Sequence, residues 1–195
     1  MSLNVQLALL TRLRVETRAQ HDAIERTVLL MGDELTLELY TRRIRQFYGF
    51  YQPVEERLLD GGGPIAPWLA VQGRRKTPLL KADLIALGQP EATQLPVCAK
   101  LPSLSSAAEC FGCLYVLEGA TLGGVIINGY VKQKLGILPG SGADFFYGYG
   151  EQTGLMWQQF RAAITAFGVN SDQHDVVVAS ARATFETLQQ WCEKE

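Results

Sequence analysis

The chain has 195 residues, 18 of them basic and 20 acidic, for a formal net charge of −2. That length fits one domain with a sizeable core, residues 1–195 together. The evenly mixed charge, without a basic tail, argues against a nucleic-acid-binding protein. No run of 18 uncharged apolar residues marks a membrane span, and Met1-Ser2-Leu3-Asn4 lacks the basic-then-apolar pattern of a secretory signal. The expectation is a cytoplasmic protein that works away from membranes.

The first predicted element is one helix over Val5–Leu30. Leu10, Leu13, Thr17, His21, Ile24 and Val28 recur at spacings of three and four, an apolar stripe that places His21 on the inner face. Gly32-Asp33 ends it. Thr36 is a fitting N-cap for the next helix, Leu37–Leu59, whose stripe is Tyr40, Ile44, Phe47, Tyr51, Val54 and Leu58. Pro53 inside this helix predicts a kink near Gly49, and Gly61-Gly62-Gly63-Pro64 stops it.

Residues 64–105 are broken by prolines, which leaves room for short helices such as Pro78–Leu87 with Thr77 as cap. Ser106-Ala107-Ala108-Glu109 is a capping box. It opens a long helix to Leu135, closed by Gly136 and Pro139. Phe145–Gly150 reads as an aromatic loop. A helix over Gln152–Phe167 follows, ended by Gly168, and then a last helix over Asp172–Glu193 capped by Ser171. No strand alternation appears, so the fold class is all-α, a single-domain multihelical bundle.

The long helix carries glycine at 119, 123, 124 and 129, each costing about 1 kcal/mol relative to alanine. Two readings follow: close helix packing, or a bare backbone wall against a flat ligand. The cysteines, Cys98, Cys110, Cys113 and Cys192, read as buried reduced thiols, because Cys110-Phe-Gly-Cys113 has no second ligand pair for zinc and no βαβ context for redox work.

Only two histidines are present. His174, in the first turn of the last helix, reads as a solvated or capping residue. His21 reads either as a core histidine or as a ligand. Glu25, four residues on, is placed to hold its other ring nitrogen, and Arg14 lies two turns back on the same side. A carboxylate-oriented histidine near a guanidinium suits the axial ligand of an iron porphyrin whose propionates need partners. Arg161, after Trp157 and Phe160, is either a surface arginine or a further partner at the pocket edge, with Tyr130 and Lys132 as weaker edge residues. No Glu-x-x-His pair for a di-iron centre, nucleophile elbow or phosphate loop is present.

Four blocks in order carry a resemblance that covers nearly the whole chain. They are Leu13-Arg14-Val15-Glu16-Thr17 continuing to His21 and Glu25; Tyr115-Val116-Leu117-Glu118-Gly119-Ala120-Thr121-Leu122-Gly123-Gly124; Phe145–Gly150 with Thr153-Gly154 and Trp157; and Ala181-Arg182-Ala183-Thr184-Phe185 with Leu188 and Trp191. Together they resemble the haem oxygenase family, its biliverdin-producing bacterial branch.

The resemblance implies haem between a proximal N-terminal helix and a kinked glycine-rich distal helix. His21 would be the iron ligand and Glu25 its partner. Arg14 and Arg161 would meet the propionates, and Gly119, Gly123 and Gly124 would form the distal backbone. The implied reaction cleaves haem, substrate and cofactor at once, to biliverdin, carbon monoxide and ferrous iron. It uses O2 and electrons from a ferredoxin or flavoprotein reductase, and a bilin-accepting photoreceptor is a possible recipient. One departure concerns proton delivery: some members have an aspartate three residues before the paired glycines, where this chain has Ala120. A non-catalytic haem-binding protein and a thiaminase-like helical hydrolase using Cys110 or Cys113 are the alternatives.

Overall fold

The computed structural model describes residues 2–59, 63–89, 94–169 and 172–194, and among these residues there is no strand. The helices are α1 (Ser2–Glu16), α2 (Arg18–Val28), α3 (Leu37–Leu59), α4 (Thr77–Ala86), α5 (Ala107–Leu135), α6 (Asp144–Tyr147), α7 (Thr153–Val169) and α8 (His174–Cys192). α5 packs along α8, with α2 and α3 against α8 and α1 against α7. A single apolar core runs through all of them.

The expected first helix is two helices. Thr17 Oγ1 donates to Leu13 O at 2.7 Å, a back-bond that bends helices, and the Thr17 backbone moves to φ −106°, ψ 5°. Arg182 of α8 seals the break by donating to Glu16 O at 2.9 Å. α2 then stops at Val28, earlier than expected, with Leu29 left-handed at φ 51°. Its last carbonyls are taken by Arg43, which donates to Val28 O, Thr27 O and also Cys192 O. A buried guanidinium thereby joins the C-termini of α2 and α8.

α3 has the expected bounds, and Thr36 Oγ1 accepts from Leu39 N. Pro53 has no N–H for Gly49 O, and the N–H of Cys98 fills that place at 2.8 Å. Gly49 is required by close approach, since a Cβ there would lie 2.8 Å from the Trp191 ring. Residues 60–62 of the glycine stop lie outside the described residues.

α4 begins one residue earlier than expected, with Thr77 inside it. Its cap comes from another helix. The Glu55 carboxylate of α3 accepts from Lys76 N, Thr77 N and Thr77 Oγ1. The capping box at Ser106/Glu109 forms, and Gly136 closes α5 at φ 70°.

α5 is long and apolar enough to cross a bilayer, since an 18-residue window reaches a mean hydropathy of 1.7. This differs from the expectation of an uncharged run because a mean over 18 residues tolerates Glu118, which every such window in this helix contains. Half of it is buried inside the fold, and α5 serves as the core helix.

The expected aromatic loop contains the single turn α6. Gly168 lies inside α7 and does not end it. The last helix starts two residues later than expected, and Ser171 lies outside the described residues. All four cysteines are free and buried. Burial pushes the Cys110 thiol up to about 11 and Cys113 up to about 12. Neither is a nucleophile at neutral pH, which removes the chemical basis of the hydrolase alternative.

Candidate functional site

A cavity of about 580 Å³ lies between α2 and α5, within the range of small-molecule and cofactor sites. One wall is the face of α2 with the end of α1: Arg14, Thr17, Arg18, His21, Asp22 and Glu25. The opposite wall is α5, which presents Tyr115, Val116, Gly119, Ala120, Leu122, Gly123 and Ile127 at helical spacing. Phe47 and Tyr51 of α3, Phe145 and Phe146 of α6, and Trp157, Phe185 and Leu188 complete it. The interior is apolar and aromatic, and the charges gather along the α1–α2 edge.

His21 belongs to the expected stripe, but its neighbours Thr17, Ile24 and Val28 are buried while its own side chain is 54% exposed. The stripe opens into the cavity at this residue. The ring meets Phe185 edge-on, centroids 5.9 Å apart. Nδ1 faces two carboxylates, Glu25 Oε2 at 3.6 Å and Asp22 Oδ1 at 3.8 Å. The expected Glu25 contact is therefore an electrostatic one, longer than a hydrogen bond, and Asp22 shares it. Asp22 also pairs with Arg18 at 3.6 Å. Arg18 lines the cavity and was not anticipated, because its position off the apolar stripe resembles an ordinary wet face. Arg14 lines the cavity too and makes no ion pair among the described residues.

The four glycines in the second half of α5, at 119, 123, 124 and 129, separate into two kinds. A Cβ on Gly119 or Gly123 would meet nothing within 4 Å, and both residues line the cavity. Gly124 does not line it. A Cβ there would come within 2.9 Å of Phe146 O, so Gly124 is needed for α6 to lie against α5. That corrects its expected place in the distal wall: at helical spacing it points about 100° away from Gly123. Ala120 lines the cavity, while Thr121 turns its hydroxyl back to Glu118 O at 2.6 Å.

Arg161 is exposed on α7 and lies outside the cavity lining. Tyr130 is committed to Gly32 O at 2.8 Å. His174 donates from Nε2 to Gly168 O at 2.8 Å, tying the end of α7 to the start of α8.

An aromatic-lined cavity with a histidine on one wall, bare backbone on the other and arginines at one edge fits an iron porphyrin. The heme oxygenase sequence profile matches residues 7–194. The chain belongs to the haem oxygenase family. It is 28% identical to a heme oxygenase of Xanthomonas campestris pv. campestris over 155 residues, covering 76% of this chain and 85% of that protein. Its fold matches a heme oxygenase of Neisseria meningitidis, solved with NO and CO bound, with TM-score 0.79 and 19% identity over 95% of this chain and 90% of that one. It also matches the heme oxygenase of Leptospira interrogans, with TM-score 0.78 and 21% identity over the whole of both chains. Membership of the haem oxygenases makes the chain an enzyme of the oxidoreductase class with haem as its substrate and biliverdin and iron among its products. The expected all-α bundle stands, and neither alternative function is favoured.

Proposed function

We propose that His21 would hold the haem iron in this enzyme and that α5 would form the wall across the cavity from it. Haem, when bound, supplies both the redox iron and the macrocycle that is opened to biliverdin, carbon monoxide and ferrous iron. The observation that carries the reading is the placement of His21 across the cavity from Gly119 and Gly123, the two glycines whose missing side chains leave open space.

Each residue then has a physical task. His21 presents a ring nitrogen to the cavity while Glu25 and Asp22 face Nδ1 and hold its proton there. Phe185 fixes the ring plane from the side. Arg14 meets a propionate at the open edge, with Arg18 beside it, and Arg161 reaches a second one from α7 by its long side chain. The bare backbone at Gly119 and Gly123 lets the porphyrin lie close to α5, and Phe47, Phe145 and Phe146 exclude bulk water from its buried edge.

In this reading O2 enters from solvent, and electrons come from a separate ferredoxin or flavoprotein reductase. The released ferrous iron serves iron acquisition, or the biliverdin passes to a bilin-accepting photoreceptor. The four free cysteines suit the reducing conditions of the cytoplasm.

Haem titration followed by ascorbate under air tests the proposal. The wild type is expected to give a sharp Soret band that decays as biliverdin appears. His21→Ala is expected to lose the axial-ligand spectrum and turnover. A wild-type Soret band that persists with no biliverdin would sink catalysis, and an unchanged His21→Ala spectrum would sink the ligand assignment.

A further inference from the structure

Helix α6 is four residues long, too short to hold its shape by its own hydrogen bonds. It nevertheless supplies two rings to the cavity, Phe145 and Phe146. Phe145 meets Tyr51 and Phe47 of α3 at centroid distances of 5.2 and 5.5 Å, and Phe146 meets Phe47 edge-on at 6.1 Å. Whatever fixes α6 therefore fixes the aromatic end of the cavity.

The cap position of α6 is Ala143, which offers no side-chain acceptor to the first turn. The acceptor comes from α4 instead. Asp83 is fully buried. Its Oδ1 accepts from Asp144 N at 2.7 Å, and its Oδ2 accepts from Phe145 N at 2.8 Å. These are charge-assisted bonds to two donors that a helix leaves unpaired at its start. Burial pushes the Asp83 carboxyl up to about 6, and the two N–H groups oppose that rise, so it accepts as a carboxylate at neutral pH. Asp144 does not compete for its own turn, because its Oδ1 accepts from Gly140 N at 2.9 Å. Tyr40 of α3 holds the chain just before α6 by donating to Gly142 O at 2.7 Å.

The other buried carboxylates among the described residues serve elsewhere. Glu55 caps α4. Glu118, behind α5, pairs with Arg74 and accepts from Tyr149 OH, with Lys76 over the Tyr149 ring. Asp83 is the one that holds an element of the cavity wall. Arginines hold the charged edge of a haem there, and its apolar edge is held by shape, which close-packed rings supply.

We propose that Asp83 is a positioning residue for this reaction: by holding the first turn of α6 it sets how haem is seated in its own plane, and with that which edge of the macrocycle is opened. The link to the product rests on haem occupying the cavity as proposed above; the capping of α6 by Asp83 does not.

The haem-free protein tests the cap. In Asp83→Asn one side-chain oxygen can still accept, but the amide nitrogen is a donor facing a second N–H. The Asp144 and Phe145 amides are then expected to exchange hydrogen about tenfold faster or more, while α8 amides keep their wild-type rates. Unchanged exchange at α6 overturns the proposal. The haem complex tests the seating, through chromatography of the biliverdin isomers formed with ascorbate under air. Asp83→Asn is expected to change the isomer ratio about fivefold or more. Tyr40→Phe, which frees the Gly142 carbonyl, is expected to change it in the same direction and carries the test if Asp83→Asn does not fold. Gly112→Ala, which loosens α5 against α8, is expected to keep the wild-type ratio. A wild-type ratio in the folded α6 variants, or an equal change in Gly112→Ala, overturns the proposal. Failure of the wild type to bind haem would instead overturn the proposed function and leave the exchange test of the cap standing.

Discussion

The two halves of α5 use the same residue type for opposite ends. In the first half Gly112 lies under α8, where an added Cβ would collide with Val177 O and sit 2.6 Å from Ser180 Cβ. In the second half Gly119 and Gly123 face open space, and Leu122, Val125 and Ile126 nearby are 40–63% exposed. Gly112 lets the first half pack; Gly119 and Gly123 leave the second half open, where Gly124 alone is pressed by a neighbour, Phe146 of α6. A glycine in a helix therefore has no fixed meaning. What lies within 4 Å of the missing Cβ decides whether it serves a neighbouring helix or a ligand.

Substitution by alanine should separate these roles by sign. The largest expected effect is Gly112→Ala, which overpacks a backbone contact and is expected to cost about 3 kcal/mol, lowering the melting temperature by about 10 °C. Gly124→Ala presses on the Phe146 carbonyl and is expected to cost about 1–2 kcal/mol by chemical denaturation. Gly119→Ala and Gly123→Ala are expected to stabilise the ligand-free protein by about 0.5–1 kcal/mol each, while weakening haem binding about tenfold in a Soret titration. If these two variants destabilised the ligand-free chain, the distinction between the halves would fail.

The smallest effect is one of pH, in the buried charges behind α5. Burial pushes the Lys76 ammonium down from 10.5 to about 8, so between those values the unfolded chain binds more protons and stability rises with pH. The contribution is complete above 10.5 and lost as the pH falls through about 8. Lys76→Met should flatten this rise in denaturation curves measured across that window, relative to wild type.

The legible parts of the fold were those set by local periodicity and caps. α3 was bounded correctly because Thr36 caps it and six apolar residues repeat along it, and the Ser106/Glu109 box located the start of α5. The break at Thr17 was not legible, since a threonine on a regular stripe bends a helix only when its hydroxyl turns back to the chain. In the site, His21, Glu25, Arg14, Gly119 and Gly123 stood out by spacing, and the structure brings them to one cavity. Tyr51 was visible only as a core residue, and Arg74 and Lys76 lie in the proline-broken segment, where no period links them to Glu118. Asp22 and Arg18 fell off the stripe and looked like ordinary surface. Contacts between distant segments carry no local pattern.

The apolar length of α5 also has a consequence for how the protein is made. Chains emerge N-terminus first, so α5 is complete before α8, its principal cover, has been synthesised. During that interval its 18-residue window of mean hydropathy 1.7 offers the length and composition that a membrane-insertion apparatus accepts. Glu118, near the middle of the helix, opposes that fate, since a charge at that depth in a bilayer costs about 3 kcal/mol. The carboxylate that pairs with Arg74 in the fold thus also raises the cost of placing the uncovered helix in a bilayer before α8 is made.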